Sequence, residues 1–308
     1  MIELVHFTKR YGDLVAVDDL SLKIARGELF GFIGPNGAGK STTIRFLVTL
    51  LRATSGEGIV GGHSVTREPL EVRRAIGYMP DSFGLYDGMK VWEFLDFFAE
   101  GYRIPPGRRR QVVGDTLELV DLTGKRSARL SALSRGMKQR LCLAKTLLHD
   151  PPVLILDEPA SGLDPQGRID MKALLKRLSA AGKTILISSH ILSELADTCT
   201  SIGIIDRGKL VACGPIDDVY RRITEHRTIE IKFLDRLDDG VAIVRSQPGA
   251  GDICLEGDLA TVEFTGDDRQ VAGLLERLVT AGIPVQSFAE KEPTLEDVFL
   301  MVTKGAMA

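Results

Sequence analysis

The feature that most constrains this chain is a glycine-rich stretch between an apolar segment and a helical pattern. The stretch consists of Gly34, Pro35, Asn36, Gly37, Ala38, Gly39, Lys40, Ser41 and Thr42. It fills the template Gly-x-x-x-x-Gly-Lys-Ser/Thr of phosphate-binding loops. Residues 29–33 precede it as a short apolar strand, and apolar residues at helical spacing follow it over 43–51. A strand, a glycine-rich loop and a helix in this order predict a nucleoside triphosphate site.

Three kinds of group in this loop suit a polyphosphate. The glycines let successive backbone N–H groups turn toward phosphate oxygens, and the following helix directs its positive dipole end to the same place. We expect Lys40 to reach the β- and γ-phosphates and the Ser41 hydroxyl to bind Mg²⁺. The alternative is a glycine-rich turn that matches by chance, and the flanking strand and helix argue against it.

Two further apolar segments end in polar residues that suit the same chemistry. Residues 153–156 are all apolar and are followed by Asp157 and Glu158. Carboxyl ends of parallel strands meet at one sheet edge, so we expect Asp157 to bind Mg²⁺ and Glu158 to act as general base on a water. A second apolar run, 184–187, leads to His190 at the same edge, within reach of the γ-phosphate or the water. Taken alone, an Asp-Glu pair is equally well explained as a solvated strand end.

A second helix start has the composition of an anion site. Residues 133–140 spell Leu-Ser-Arg-Gly-Met-Lys-Gln-Arg. Ser134 suits an N-cap, Gly136 allows a ligand to approach closely, and a helix N-terminus attracts anions. The plainer interpretation is a capped amphipathic helix that binds no ligand, and this segment alone leaves both open.

Composition restricts the class of protein. The chain has 308 residues, of which 44% are hydrophobic and 26% charged, and its net charge is −3. These values are typical of a globular protein and speak against nucleic acid as a partner. No apolar run reaches the length of about 18 residues that spans a bilayer, so we expect any membrane part to belong to another chain. The four cysteines lack metal-ligand spacing and are predicted to be buried: Cys142, Cys199, Cys213 and Cys254.

The order of elements predicts two domains. Over residues 1–222 the pattern predicts an α/β domain with a mostly parallel sheet core, an N-terminal antiparallel β part and a helical subdomain at about 82–150. From 226 to 308 further strands and helices predict a small α/β accessory domain. The boundary is expected near 221–226.

Six motifs in this order resemble those of the ATP-binding subunits of ABC transporters. They are Tyr11, the loop at 34–42, the segment 133–140, Ile-Leu-Asp-Glu-Pro at 155–159, Ser-Gly-Leu-Asp-Pro at 161–165 and Ser-Ser-His at 188–190. The resemblance covers about residues 1–220. Residues 292–299 are similar to the end of the small C-terminal domain of stand-alone bacterial exporter subunits.

The resemblance implies an activity and partners. The cofactors are ATP and Mg²⁺, and the activity is ATP hydrolysis coupled to transport, with an integral-membrane permease subunit as partner. The chain forms a homodimer, or a dimer with a related ATPase subunit, and lies in the cytoplasm at the inner face of the cell membrane. Each ATP lies between the phosphate loop of one copy and the Ser134–Gly136 turn of the other. Asp164 lies across the dimer interface, and Tyr11 stacks on adenine unless it packs in the core.

Two positions depart from the family pattern. Asp81 stands where the family has glutamine, and it keeps an oxygen ligand for Mg²⁺ while it adds a negative charge. Arg135 stands where the family has glycine, and we expect its side chain to point away from the phosphate.

Two other classes of function use a phosphate loop of this kind. A non-transport ABC-type ATPase that acts on a membrane or regulatory complex stays open as the alternative. A phosphate-loop GTPase or kinase needs an Asn-Lys-x-Asp guanine motif or an acceptor site, and the sequence shows neither.

Overall fold

The computed structural model describes residues 1–82, 84, 88–191, 195, 197–216, 218–219 and 227–291. Contacts divide the chain into two compact units, Met1–Gly214 and Pro215–Ala308. Each unit has its own hydrophobic core. Residues 221–226, where the boundary was expected, and the motif at 292–299 lie outside the described residues.

The first unit begins with an antiparallel sheet. It contains β1 (Ile2–Tyr11), β2 (Leu14–Ile24), β4 (Ser55–Val60) and β5 (His63–Ser64) in the order β2-β1-β4-β5. The sheet buries Ile2 and Leu4 by the alternation of β1, and it buries Phe7 after an irregularity in the pairing between Leu4 and Phe7. The predicted N-terminal antiparallel part is confirmed.

The second sheet of this unit carries the predicted motifs. It contains β3 (Leu29–Ile33), β6 (Ile76–Met79), β7 (Val153–Leu156), β8 (Thr184–Ser189), β9 (Ser201–Asp206) and β10 (Lys209–Pro215). The order is β10-β9-β3-β8-β7-β6, and the five strands from β9 to β6 pair in parallel. Every residue of β3, β7 and β8 is buried, as expected of parallel strands covered on both faces. The parallel sheet core is thereby confirmed.

Six helices with described bounds accompany these sheets. They are α1 (Lys40–Leu47), α2 (Pro69–Ala75), α3 (Val91–Gly101), α4 (Pro106–Leu119), α5 (Arg135–Leu147) and α6 (Pro165–Ala180), with 3-10 turns at Thr123–Lys125 and Leu130–Ala132. Helices α3, α4 and α5 pack on one another and form the predicted helical subdomain. Helix α2 was not predicted, because Val72 is its single buried residue and leaves no apolar periodicity to detect.

One aromatic contact fixes α1 against the antiparallel sheet. The rings of Phe7 and Phe46 stack with centroids 4.3 Å apart, and both side chains are fully buried. Gly58 leaves room for them, because a Cβ there would lie 2.7 Å from the Phe46 ring. This contact places the helix that follows the phosphate loop.

Over residues 227–291, the second unit forms a four-stranded antiparallel sheet with two helices. Its elements are β11 (Arg227–Phe233), α7 (Leu237–Arg245), β12 (Ala250–Glu256), β13 (Leu259–Phe264), α8 (Asp268–Thr280) and β14 (Val285–Lys291). The order β12-β13-β11-β14 and the β-α-β-β-α-β sequence describe a split β-α-β arrangement. The small α/β unit is confirmed, whereas α7 was not predicted.

Two smaller findings concern burial. Cys142 and Cys199 are buried, but Cys213 and Cys254 are exposed, so the prediction that all four cysteines are buried was wrong. Both exposed cysteines lie on strands at the edges of their sheets, β10 and β12, where neighbours cover less of the surface. Within the described ranges, no helix is long and apolar enough to cross a membrane.

Candidate active site

The phosphate loop connects β3 to α1 in a tightly packed conformation. A Cβ on Gly34 would lie 2.2 Å from the carbonyl oxygen of Ile205, so only glycine fits there. Gly39 has φ +109°, and a Cβ on it would lie 2.7 Å from the carbonyl oxygen of Ala16. Two of the motif glycines are thus required by the backbone that surrounds them.

Lys40 places a positive charge inside this loop. Its side chain is buried, and Nζ donates hydrogen bonds to the carbonyl oxygens of Gly34 and, at 3.1 Å, Pro35. Burial lowers the pKa of Lys40, and the negative charges of Glu158 and Asp157 oppose that change. An anionic phosphate in the loop would act in the same direction as these carboxylates and favour the charged amine.

A cavity of about 210 Å³ lies beside the loop. Its lining residues are Ala16, Pro35, Asn36, Gly37, Gly39, Lys40, Ser41, Thr42, Asp81, Asp157 and Glu158. The structure therefore brings most of the loop together with the three carboxylates that the sequence singled out. The loop residues absent from this lining, Gly34 and Ala38, are buried and shape the loop from behind.

Hydrogen bonds fix the orientation of Asp157. Its side chain is only 6% exposed, and Oδ1 accepts a 2.6 Å hydrogen bond from Ser188 Oγ. The same Ser188 oxygen accepts a 2.9 Å hydrogen bond from the backbone N–H of Glu158. The sequence marked Ser188 only as part of the Ser-Ser-His motif and predicted no contact for it. The signal was available, because a polar residue that ends a buried apolar strand needs a partner at that sheet edge.

Glu158, which lines the cavity, forms a pair with His190. His190 Nδ1 lies 3.0 Å from Glu158 Oε2, with the histidine side chain 45% and the glutamate side chain 15% exposed. Burial raises the pKa of Glu158, while the hydrogen bond and charge of His190 and the charge of Lys40 act against it. Glu158 also has φ +51°, a left-handed conformation that is rare for residues other than glycine and is typical of functional sites.

Besides Gly34, Ala38 and His190, four predicted site residues lie outside this cavity lining. Tyr11 ends β1 with its ring 45% exposed, which argues against the core-packing alternative, and Lys9 Nζ lies 5.0 Å from the ring centroid. Ser134 caps α5 by accepting a hydrogen bond from the N–H of Met137 at 3.3 Å. The remaining two, Gly136 and Asp164, lie at the starts of α5 and α6. One copy of the chain thus assembles the phosphate side of the predicted site without the serine-glycine turn.

Asp164 and Arg135 have contacts of their own. Asp164 accepts a 3.0 Å hydrogen bond from the N–H of Gly167 and thereby caps α6. The guanidinium group of Arg135 lies against Gly162, where a Cβ would be 2.2 Å from Arg135 Cζ. Arg135, which stands where the family has glycine, therefore contacts the Ser-Gly-Leu-Asp-Pro segment.

Comparison with known proteins decides the family. A family model described as ABC transporter matches residues 17–161, and one described as the C-terminal domain of DrrA1-3-like ATP-binding proteins matches residues 214–303. Over 305 residues the chain is 31% identical to the linearmycin resistance ATP-binding protein LnrL of Bacillus subtilis, with 98% of each chain covered. The chain belongs to the ATP-binding subunits of ABC transporters. As a member of this family it binds ATP and hydrolyses it.

Further relatives agree with this assignment. The chain is 34% identical to the daunorubicin resistance ATP-binding protein DrrA3 of Streptomyces coeruleorubidus, with 96% of this chain and 93% of the relative covered. A solved ATP-binding subunit of an ABC transporter shares 30% identity at a TM-score of 0.65, covering 72% of this chain and 92% of that one. A dimeric cassette in a post-hydrolysis state with ADP and Pi shares 25% identity at a TM-score of 0.64, covering 70% and 99%. The predicted fold class is confirmed.

Replacing Gly34 by alanine tests the packing of the phosphate loop. The new Cβ meets a backbone carbonyl of β9 that cannot move without breaking the sheet, so the loop must shift. We expect the affinity for ATP to fall by tenfold or more, about 1.4 kcal/mol or greater. Titration with a fluorescent ATP analogue measures the loss.

Gly107→Ala on α4 is the matched control, because no atom lies within 4 Å of the added Cβ. It should bind the analogue as the unmodified chain does. Unchanged binding by Gly34→Ala would contradict the steric argument.

Proposed function

We propose that this chain is the ATP-hydrolysing subunit of a membrane exporter, and that it works as a dimer on a separate integral-membrane permease. The observation that carries the proposal is the cavity that combines the phosphate loop with Asp157 and Glu158, while Ser134 and Gly136 lie outside its lining. The cavity therefore contains the phosphate-loop part of an ATP site, and a second copy would complete the site by supplying the Ser134–Gly136 turn. The dimeric cassette among the structural relatives supports this arrangement.

The names of the relatives support export as the direction of transport. They include resistance proteins for linearmycin and daunorubicin. The bacitracin transport ATP-binding protein BcrA of Bacillus licheniformis is 34% identical, with 99% of this chain and 98% of the relative covered. A cell becomes resistant to a toxic compound when that compound is exported. On this proposal the chain acts at the inner face of the membrane through its permease.

Ser41, Asp81 and Asp157 would hold Mg²⁺ at the phosphate loop. All three line the cavity, and hydroxyl and carboxylate oxygens are the ligands that Mg²⁺ prefers. Asp157 fits because Ser188 fixes its buried carboxylate. When bound, the ion offsets the negative charge of the β- and γ-phosphates. Asp81 adds a charge where the family has a neutral glutamine, and it keeps the oxygen donor.

Glu158 acts as the general base in the proposed mechanism. Its carboxylate takes a proton from the attacking water, and its raised pKa makes it a better proton acceptor than an ordinary glutamate. The 3.0 Å contact with His190 holds the carboxylate in place and sets His190 near the γ-phosphate. Lys40 stabilises charge on the phosphate oxygens.

The second copy completes each site in the proposed dimer. Ser134 and Gly136 would approach the γ-phosphate held by the other chain, with the N-terminal end of α5 directed at it. Tyr11 would stack on adenine, and Asp164 would contact the facing chain near its phosphate loop. Closure on ATP and opening after hydrolysis would move the permease.

Glu158→Gln tests the assignment of the base. The amide keeps the size of the side chain and cannot accept the proton, so ATP should bind while turnover falls by about 100-fold or more. The bound ATP should then hold two copies together, and size-exclusion chromatography with ATP and Mg²⁺ should show a stable dimer.

Glu118→Gln, an exposed glutamate on α4, is the matched control and should neither slow hydrolysis nor trap a dimer. Normal ATP hydrolysis by Glu158→Gln would exclude Glu158 as the base.

The pH profile of hydrolysis should report the pKa of Glu158. Because burial raises this pKa, the plot of kcat against pH should have a rising limb at higher pH than an ordinary glutamate would give. His190→Ala removes a hydrogen bond and a charge that lower the pKa, so the limb should move to higher pH. Initial rates measured across pH at saturating ATP give both profiles.

His63→Ala removes a comparable histidine–glutamate contact, between His63 on β5 and Glu68 at the start of α2, 3.3 Å apart, and should leave the limb in place. A His190→Ala profile with a lower plateau and an unmoved limb would show that His190 does not control the base.

The exporter proposal is tested against the non-transport alternative by isolation from membranes. The tagged chain should co-purify with an integral-membrane protein, and the complex in proteoliposomes should move a compound only when ATP is hydrolysed. Glu158→Gln in the same complex is the control and should abolish the flux. A complex that hydrolyses ATP at the normal rate and moves no compound across a broad panel would favour the alternative.

A further inference from the structure

Arg135 makes a specific contact at the first turn of α5. Its guanidinium group covers Gly162, so that a Cβ there would lie 2.2 Å from Cζ and 2.4 Å from Nη2. Gly162 has φ +67°, a conformation that also favours glycine. The contact is therefore one in which a planar cation rests on bare backbone, which suits arginine better than lysine.

The same face of α5 holds the neighbouring residues of that segment. Gln139 lies one turn after Arg135, is 3% exposed and donates a 2.8 Å hydrogen bond from Nε2 to the carbonyl oxygen of Ser161. Gly136 lies close to Leu163, whose Cδ2 would be 3.3 Å from a Cβ on that glycine. Three successive residues, 161–163, thus touch the start of α5.

This segment is continuous with the proposed base. We call residues 158–164 the base loop, because it begins at Glu158 and ends at the helix cap Asp164. Ser161 N–H donates a 3.1 Å hydrogen bond to the carbonyl oxygen of Glu158, which ties the middle of the base loop to its first residue. The left-handed φ of Glu158 makes the position of its side chain depend on how this loop is held.

We propose that Arg135 is a positioning residue that couples the Ser134–Gly136 turn to Glu158 of the same chain. The inference rests on the proposed function, in which that turn faces the ATP of the second copy. When the Ser134–Gly136 turn binds the ATP of the second copy, the start of α5 becomes fixed. The Arg135 guanidinium, which rests on Gly162, then restricts the base loop. The restricted loop holds Glu158 in its active position. ATP at one site thereby sets the geometry of the base at the other.

The coupling predicts a particular kinetic defect in the full-length chain. In Arg135→Ala the ATP site of each copy is intact, so KM should stay within about twofold, while kcat should fall fivefold or more, the usual lower range of coupling between sites. The Hill coefficient for ATP should fall toward one. Arg135→Lys should recover only part of kcat, because its ammonium does not stack on the peptide.

Two further measurements separate coupling from other roles. Arg135→Ala in the Glu158→Gln background should still form the ATP-dependent dimer, since Ser134 and Gly136 are unchanged. Arg110→Ala, an exposed arginine on α4, is the matched control and should keep kcat and the Hill coefficient. Gly162→Ala puts a methyl group where the guanidinium lies, so its effect should be smaller in the Arg135→Ala background.

The outcomes distinguish this inference from the proposed function. Failure of Glu158→Gln to trap a dimer would reject the shared site itself. A trapped dimer combined with normal kcat and Hill coefficient in Arg135→Ala would reject only the coupling role. Loss of the trapped dimer in Arg135→Ala, a raised KM, or strictly additive effects of Arg135→Ala and Gly162→Ala would also overturn it, because Arg135 would then act in binding or dimerisation.

Discussion

The structure depends on the parallel register of β3, β7 and β8. Leu156 pairs with Ile187, and Ile33 pairs with Ser189, so the residues that follow these strands emerge side by side. This register lets Ser188 bond both Asp157 Oδ1 and the N–H of Glu158. Because successive side chains point to opposite faces of a strand, a one-residue shift of the register would turn Ser188 away from Asp157 and separate these groups. The sheet thus sets the positions of Asp157 and Glu158 in the cavity.

Burial shifts the pKa of two groups that line the cavity, Lys40 and Glu158. Lys40 is held by carbonyl oxygens of its own loop, and its pKa is lowered by burial. On the other wall, burial raises the pKa of Glu158. Burial makes the charged form of each group less stable. A bound phosphate would stabilise the charged lysine, and a bound cation would stabilise the charged glutamate. The buried Lys40 cation in the loop thus favours the anionic phosphates of ATP.

Most of the fold and the site followed from local patterns. The phosphate loop, the apolar strands that end in Asp157 and His190, and the N-cap of α5 each have a signal within about ten residues. Features without local periodicity were missed, among them α2, with its single buried residue. The partner of Asp157 was missed for a different reason. Ser188 is 31 residues away in the chain, and only the pairing of β7 with β8 brings the two together.

The sequence by itself determined that the chain has a phosphate loop, which residues in it must be glycine or lysine, and which strands carry carboxylates to the same edge. These conclusions rest on spacing and on the chemistry of side chains, which are local properties. Only the tertiary structure decided where Arg135 lies, since the sequence showed an unexpected side chain at a helix start and no contact. Its guanidinium rests on Gly162, a residue 27 positions later in the sequence. Such a contact depends on how α5 packs against the base loop, and packing between distant segments leaves no signal in either one.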